Sequence, residues 1–222
     1  SRIWPRTAAI AERLWSPSDI DDITDMYRRL DFVDHELSEA GLHQNSYYHK
    51  LLEDIAGTEN YSSLKTLVDL LEPIEGYARH RYKKYTTSTP LNRVVDASKP
   101  DSRQARLFNE RILEYLGDST ANSDDIRKTF KEWINNDKVL KETGKGRPRI
   151  KEILPQSEHL AKLAQTGLIA LDVLEGKKPA PTTEWNHEQL NYIKSCKEQV
   201  AETELKITPG IEKLLVAMIY KE

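Results

Sequence analysis

Apolar side chains recur at intervals of three and four residues along most of the chain, which is the spacing of one face of an α-helix. The clearest stripe runs through Ile20, Ile23, Tyr27, Leu30, Val33 and Leu37. Ser18 is a suitable N-cap in front of this stripe, and Gly41 is a typical stop signal after it. Similar stripes occupy residues 5–15, 47–55, 64–71, 105–115, 126–140, 153–174, 184–204 and 209–221. The pattern predicts a succession of helices.

Residues that break helices stand mainly between these stripes. Nine Gly and ten Pro in 222 residues are too few for an all-β chain, which needs frequent turns. Apolar residues make up 38% of the chain and charged residues 31%, a balance that suits helices with one buried stripe and a broad hydrated face. We therefore predict an all-α fold, a multi-helix bundle or array without a β-sheet.

Residues 177–183 contain two Pro residues and lack an apolar stripe, which is typical of a linker. We predict a helical domain over residues 46–176 before this linker. After it, we predict helices over residues 184–222 that pack on that domain. No period of internal similarity is evident, which argues against a repeat solenoid.

The charge balance excludes some classes of partner. The chain has 33 Lys and Arg against 36 Asp and Glu, for a net charge of −3, and so has no overall field that would gather nucleic acid or an anionic membrane. Its longest apolar run, residues 214–219, is far shorter than the ~20 residues of a membrane helix. We therefore expect no nucleic-acid partner and no membrane span. The single Cys196 stands among Lys and Ser, without the turn that is typical of a nucleophile.

Two segments begin like a helical zinc signature, at His35-Glu36 and at His187-Glu188. That signature needs a second His four residues after the first, so that both imidazoles share one helical face. Glu39 and Asn191 stand at those positions instead. We expect surface histidines here, with no metal and no cofactor.

Two other segments concentrate positive charge. Residues 145–149 read Lys-Gly-Arg-Pro-Arg and resemble an AT-hook, but a single copy between two strong helices favours a hydrated loop. Residues 79–85 interleave cations with aromatic rings. This composition suits a ligand surface formed by Tyr77, Arg81, Tyr82 and Tyr85. The alternative is an exposed helix whose rings pack while their hydroxyl groups stay in water.

The N-terminal segment is more informative. Residues 4–16 read Trp-Pro-Arg-Thr-Ala-Ala-Ile-Ala-Glu-Arg-Leu-Trp-Ser. This segment resembles the end of the catalytic domain of glycoside hydrolase family 20, the β-N-acetylhexosaminidases, in which Trp-Pro-Arg, small residues and Glu-Arg-Leu-Trp-Ser follow one another. The family continues with an aromatic-Arg-Leu helix that ends at a Gly, and residues 26–30 and 39–42 follow that course. The resemblance covers about residues 1–45.

In that family the segment is the last helix of a (β/α)8 barrel. The resemblance therefore implies that residues 1–45 are the end of a catalytic domain and the helix that follows it. It implies packing and ion-pair roles for the motif residues Trp4, Arg6, Glu12, Arg13 and Trp15. The family's Asp-Glu pair, which supplies the acid and orients the acetamido group of the substrate, lies upstream of this motif. The resemblance therefore assigns no catalytic residue to this chain.

We accordingly expect a piece of a longer polypeptide that is inactive by itself, with a structural or docking role for the helical region. The parent enzyme would remove terminal N-acetylglucosamine or N-acetylgalactosamine from glycans and would be exported to the periplasm, the cell surface or the medium. The expected partner is the barrel of the parent chain, and glycan is a substrate of the parent only. Without the barrel, an exposed patch around Ile10, Leu14 and Trp15 is expected to drive self-association. The alternative is a standalone all-α interaction or carbohydrate-binding module.

Overall fold

The computed structural model describes residues 3–59, 61–118 and 122–221, and the chain divides into two compact units, Ser1–Leu51 and Leu52–Glu222. The first unit contains α1 (Arg6–Trp15), α2 (Ile23–Glu39) and the start of α3 (Gln44–Ala56), which continues into the second unit. The helices of the second unit are α4 (Tyr61–Val68), α5 (Arg79–Tyr82), α6 (Val94–Ala97), α7 (Arg103–Gly117), α8 (Asp124–Thr143), α9 (Pro148–Lys151), α10 (Leu154–Leu174), α11 (Thr183–Ser195) and α12 (Thr208–Ile219). Its strands are β1 (Leu71–Pro73) and β2 (Thr203–Leu205).

The start of α2 differs from the prediction. Its N-cap is Asp22, whose carboxylate accepts a hydrogen bond from the backbone N–H of Asp25 at 2.9 Å, whereas the sequence pointed to Ser18. The guanidinium of Arg13 donates to the carbonyl oxygens of Ser18 and Ile20, at 3.2 and 2.7 Å. Because those carbonyls are held by a side chain, the segment that carries them is a turn and the helix begins after it.

The core of the second unit lies where α8 and α10 pack together, with α12 and α7 beside them. Phe108, Phe130 and Trp133 form an aromatic cluster there, with ring centroids 4.8 to 5.8 Å apart. Gly167 on α10 faces the ring of Phe130 so closely that a Cβ atom would lie 2.4 Å from Cζ. The small residue therefore sets how closely the two longest helices of this unit approach.

The all-α prediction is confirmed, although the expected absence of a sheet is wrong. β1 and β2 form an antiparallel pair in which Leu71 lies opposite Leu205 and Pro73 opposite Thr203. Each strand has three residues, which is too short to show the alternation by which strands are recognised. The pair joins segments more than a hundred residues apart in the chain, so no local signal announces it.

The helix predicted over residues 184–204 is shorter in the structure. α11 ends at Ser195, and the chain then turns back to enter β2. Ala201 and Glu202 lie in this turn with φ of +49° and +64°, values that a right-handed helix does not allow. The turn places Glu202 immediately before the strand.

Residues 177–183, the predicted linker, lead from α10 into α11. The hydroxyl of Thr182 caps α11 by accepting a hydrogen bond from the backbone N–H of Trp185 at 3.2 Å. α11 packs against α12, and α12 packs against α10 and α7. Residues 184–222 therefore belong to the same compact unit as the helices before the linker.

Candidate functional site

The apolar side of α1 is exposed. The side chains of Ile10, Leu14 and Trp15 are 61%, 81% and 91% exposed, and we call these three residues the apolar stripe. Neither α1 nor α2 has a buried residue among those described. Large apolar side chains are costly to hydrate, at about 1.5–3 kcal/mol each, so the stripe is a candidate contact surface.

Two charged motif residues of α1, Glu12 and Arg13, are engaged within the first unit. The carboxylate of Glu12 accepts hydrogen bonds from Nε of Arg29, at 3.3 Å, and from its Nη2. The hydrogen bond from Arg29 lowers the pKa of Glu12. Arg13 holds the turn that precedes α2, as described above. The polar side of α1 therefore has its partners in this unit, unlike the apolar stripe.

Trp4 and Arg6 lie at the start of α1. Trp4 is 39% exposed and is joined to Pro5 by a cis peptide bond, and Arg6 is exposed. The packing roles of Trp4, Arg6 and Trp15 that follow from the family motif stay predictions.

The second candidate is a group of buried charges around Glu202 in the second unit. The Glu202 side chain is 4% exposed. Its carboxylate accepts hydrogen bonds from Nε of Arg79 at 2.8 Å, from the hydroxyl of Tyr85 at 2.5 Å and from Nη1 of Arg93. Burial by itself would raise the pKa of Glu202, but these three donors outweigh it and lower the pKa. Glu202 is therefore held as a carboxylate.

Two further carboxylates complete this group, which we call the ion cluster: Arg79, Tyr85, Arg93, Asp96, Glu152 and Glu202. Nη2 of Arg79 lies 3.0 Å from Oδ1 of Asp96 and donates to the Tyr85 hydroxyl at 2.6 Å. Nη2 of Arg93 lies 3.0 Å from Oε2 of Glu152. Two arginines thus meet three carboxylates, and Arg93 bridges Glu152 and Glu202. An acid held ionised by two guanidinium groups cannot deliver a proton near neutral pH, so the ion cluster is suited to structure and not to acid catalysis.

The residues predicted as a ligand surface are separated by this arrangement. The exposed helix of the alternative interpretation is limited to α5, because Lys83 is extended. Tyr85 turns into the ion cluster and stacks under the guanidinium of Arg79, 4.8 Å from the ring centroid. Tyr82, 58% exposed, and Arg81 remain at the surface. The side chain of Tyr77 lies outside the described residues. A ligand surface here stays a prediction.

Two acidic members of the ion cluster have no local sequence signal. Glu152 and Glu202 are 59 and 109 residues from Arg93, so no spacing rule connects them. The one local signal is Asp96, whose carboxylate accepts a hydrogen bond from the backbone N–H of Arg93 at 3.0 Å, at the start of α6.

The histidines and the cysteine considered in the sequence differ in their burial. His35 and His187 are exposed, and Cys196 is fully buried. Over the described ranges, no group of three or more His, Cys, Asp or Glu residues is arranged to hold a metal ion. Nor, in that part of the chain, does any helix have the length and apolar character needed to cross a membrane.

A groove of about 400 Å³ lies along the outer face of α8. Its described lining is polar and comes from this helix: Asp124, Arg127, Lys128, Lys131, Glu132 and Asn135. Arg127 is already paired with Asp172, at 2.6 Å, and with Glu175, at 2.8 Å. A ligand pocket usually has walls of apolar side chains with a few convergent polar groups, whereas all six described lining residues of this groove are polar or charged and come from one helix.

Comparisons with known proteins place these features in a family. No protein-family model matches the chain. The chain is 42% identical over 55 residues to "Probable beta-hexosaminidase fdl" of Drosophila melanogaster, a match that covers 22% of this chain and 8% of that protein. The crystal structure of the chitobiase of Flavobacterium johnsoniae (FjGH20) is similar over 96% of this chain and 32% of the chitobiase, with a TM-score of 0.83 and 32% identity.

The chain thus spans about a third of the chitobiase and less than a tenth of the hexosaminidase. The structural match extends well beyond residues 1–45, on which the sequence motif rests, and takes in the helices of the second unit. The resemblance indicated by the N-terminal motif is therefore confirmed, and the chain is similar to a C-terminal region of glycoside hydrolase family 20.

Proposed function

We propose that this chain is the non-catalytic C-terminal region of a β-N-acetylhexosaminidase. The parent would remove terminal N-acetylglucosamine or N-acetylgalactosamine from glycans by substrate-assisted catalysis. The structural match to the chitobiase carries this proposal, because it covers almost the whole chain and leaves about two thirds of the chitobiase unmatched. The catalytic machinery belongs to that unmatched part.

The chemistry of the described residues supports a non-catalytic role. The most buried acidic group, Glu202, is held ionised by Arg79 and Arg93. The Asp-Glu pair of a family 20 enzyme must reach the substrate's glycosidic oxygen and acetamido group in an open site. The ion cluster instead directs its carboxylates at its own arginines and is suited to holding the region in shape.

The role that we propose for α1 is docking. Its polar side is satisfied by Arg29 and by the turn before α2, whereas the apolar stripe of Ile10, Leu14 and Trp15 is exposed. In the family, the matching helix lies behind the barrel. The stripe would therefore be covered by the barrel in the parent and by a second copy of the chain when the barrel is absent.

In this proposal the parent is an exported protein, whether periplasmic, cell-surface or secreted. This follows from the kind of enzyme to which the chain is similar, since family 20 chitobiases generally act outside the cytoplasm. A signal peptide at the start of the full gene product would support it, and a full gene product that stays in the cytoplasm would contradict it.

A chromogenic N-acetylglucosaminide assay tests the proposal. We expect no turnover by the purified 222-residue chain and turnover by the longer polypeptide that includes the barrel. Substrate hydrolysis by the 222-residue chain at the rate of the longer polypeptide would overturn the non-catalytic assignment. An inactive longer polypeptide that is correctly folded would overturn the assignment of the parent.

A further inference from the structure

Two segments of the chain are strongly basic and contain no acidic residue. Residues 76–95 hold five Lys and Arg, and residues 144–151 hold four. Neither segment contains Asp or Glu, although the chain as a whole has a net charge of −3. These two segments are therefore locally positive, although the net charge of the chain is negative.

The fold brings these two segments together. Nη1 of Arg149 donates a hydrogen bond to the carbonyl oxygen of Asn92 at 3.1 Å, across 57 residues of sequence. Arg93 is paired with Glu152, the residue that follows α9. The basic segments thus form adjacent parts of one surface, with the ion cluster beneath them.

Several of the cations on this surface are already engaged. Arg79 and Arg93 lie in the ion cluster, and Lys145 is paired with Glu142 at 2.5 Å. Arg147 and Arg149 donate to backbone carbonyl oxygens. We leave Arg149 out of the proposed site, because its guanidinium already donates to two backbone carbonyl oxygens, those of Asn92 and Asp54.

Four cations remain, namely Arg81, Lys83, Lys84 and Lys151, and we call them the cationic rim. All four are exposed, and within the described ranges none of them forms an ion pair. Arg81, Lys83 and Lys84 lie within two residues of Arg79 or Tyr85, and Lys151 is next to Glu152. Since the ion cluster joins Arg79, Tyr85, Arg93 and Glu152, each rim residue is a close neighbour in the chain of a member of one connected group.

An exposed ring accompanies the rim. Tyr82 lies between Arg81 and Lys83 and is 58% exposed. Tyr85 is anchored below by Glu202, and Nζ of Lys83 lies 5.9 Å from the centroid of its ring. A pyranose ring of a sugar chain can stack on a flat exposed aromatic ring. The neighbouring unpaired cations can pair with the acidic groups of that sugar chain.

We propose that the cationic rim and Tyr82 bind an anionic polysaccharide, one that bears carboxylate or sulfate groups on its sugars. The choice of a glycan over another polyanion rests on the proposed function of the parent. The cationic rim and Tyr82 would form a binding surface that takes no part in the reaction of the barrel.

Duplex DNA fits the surface less well. The Gly-Arg-Pro segment would have to be extended to enter a minor groove, yet Pro148 is the first residue of α9 and Arg147 is tied to the carbonyl oxygen of Thr143 at 2.8 Å. The net charge of −3 also opposes the long-range attraction on which non-specific DNA binding depends.

Affinity electrophoresis of the 222-residue chain tests the proposal, with polygalacturonate and dextran sulfate in the gel and with neutral dextran as the blank. We expect retardation by one or both anionic polymers, weakened by added salt, and none by dextran. The triple variant R81S/K83S/K84S should bind about tenfold more weakly. Tyr82→Ala should also weaken binding, because a purely electrostatic surface would not need the ring.

The matched control is K128S/K131S/K138S, which removes three exposed lysines from α8 and changes the net charge equally. This variant should bind the anionic polymers about as well as the wild type does. Circular dichroism should show that both triple variants are folded. The proposal would be overturned if the two triple variants lost polymer affinity equally or if the wild type were not retarded. It would also be overturned if the wild type bound a duplex DNA more tightly than either polymer. The chromogenic assay of the parent has a different readout, so failure of the binding proposal can be distinguished from failure of the proposed function.

Discussion

Nε of Arg79 lies 2.8 Å from Oε2 of Glu202, although 123 residues separate them in the sequence. With Arg93, which binds the same carboxylate, this contact ties α5, α6 and the residue after α9 to the turn before β2. The backbone of Glu202 adopts φ of +64°, an uncommon value for a residue with a side chain, and the ion cluster stabilises it there.

Glu202→Gln should therefore be strongly destabilising. The amide removes the negative charge while Arg79 and Arg93 stay largely buried, at 13% and 16% exposed. Breaking a buried pair in this way costs about 3 kcal/mol in the free energy of unfolding. Urea denaturation, monitored by circular dichroism, measures this change in the free energy of unfolding.

Glu204→Gln is the control for this prediction. Glu204 is paired with Lys206 at 2.7 Å but is about a third exposed, so its loss should cost less than about 1 kcal/mol. If the two variants unfold at the same urea concentration, the ion cluster does not hold the turn in place.

The helical part of the fold could be predicted because its signals are local. The apolar pattern of residues 126–140 lies within α8, and the apolar pattern of residues 153–174 matches α10 to within one residue. The sheet and the ion cluster could not be predicted, because Leu71 meets Leu205 and Arg79 meets Glu202 only after the chain has folded. Residue spacing carries no information about such contacts.

The candidate surfaces could likewise be predicted only where their signals are local in the sequence. The motif at residues 4–16 predicts an exposed patch of Ile10, Leu14 and Trp15, and these side chains are exposed, while docking through them stays a prediction. The composition of residues 77–85 suggests one ligand surface of Tyr77, Arg81, Tyr82 and Tyr85, but composition does not reveal that the Tyr85 hydroxyl bonds to a glutamate 117 residues away. The cationic rim likewise depends on Asn92 and Arg149 being neighbours, a contact that only the tertiary structure supplies.

Glu175 should make stability depend on acid pH. Burial by itself would raise its pKa, but hydrogen bonds from Lys177, Ser123 and Arg127 lower it to about 2. Because the folded pKa lies below the unfolded value of about 4.3, Glu175 stabilises the fold above that pH, and the contribution is lost as the pH falls towards 2.

Comparison of the wild type with Glu175→Gln isolates this effect. The variant should be less stable by about 2 kcal/mol at pH 6, and the difference should disappear near pH 2. Glu188→Gln, at an exposed position of α11, should follow the wild type at every pH. A difference between wild type and Glu175→Gln that stays constant with pH would refute the assignment.

Gly167→Ala should destabilise the second unit. The added Cβ would lie 2.4 Å from Cζ of Phe130, and the ring is confined by Phe108 and Trp133. Overpacking of this kind costs about 1–3 kcal/mol, which differential scanning calorimetry would record as a lower Tm. Gly117→Ala is the control, since a Cβ there has nothing within 4 Å, and its Tm should be unchanged or slightly higher.

The docking role of α1 is tested most directly by multi-angle light scattering of the 222-residue chain over a range of concentrations. We predict reversible self-association that Leu14→Ser/Trp15→Ser abolishes, with unchanged circular dichroism. Tyr220→Ser, at a residue 77% exposed just after α12, should leave the association intact. A wild-type chain that is monomeric at every concentration, with no response to the Trp15 substitution, would contradict the view that α1 evolved to lie against another surface.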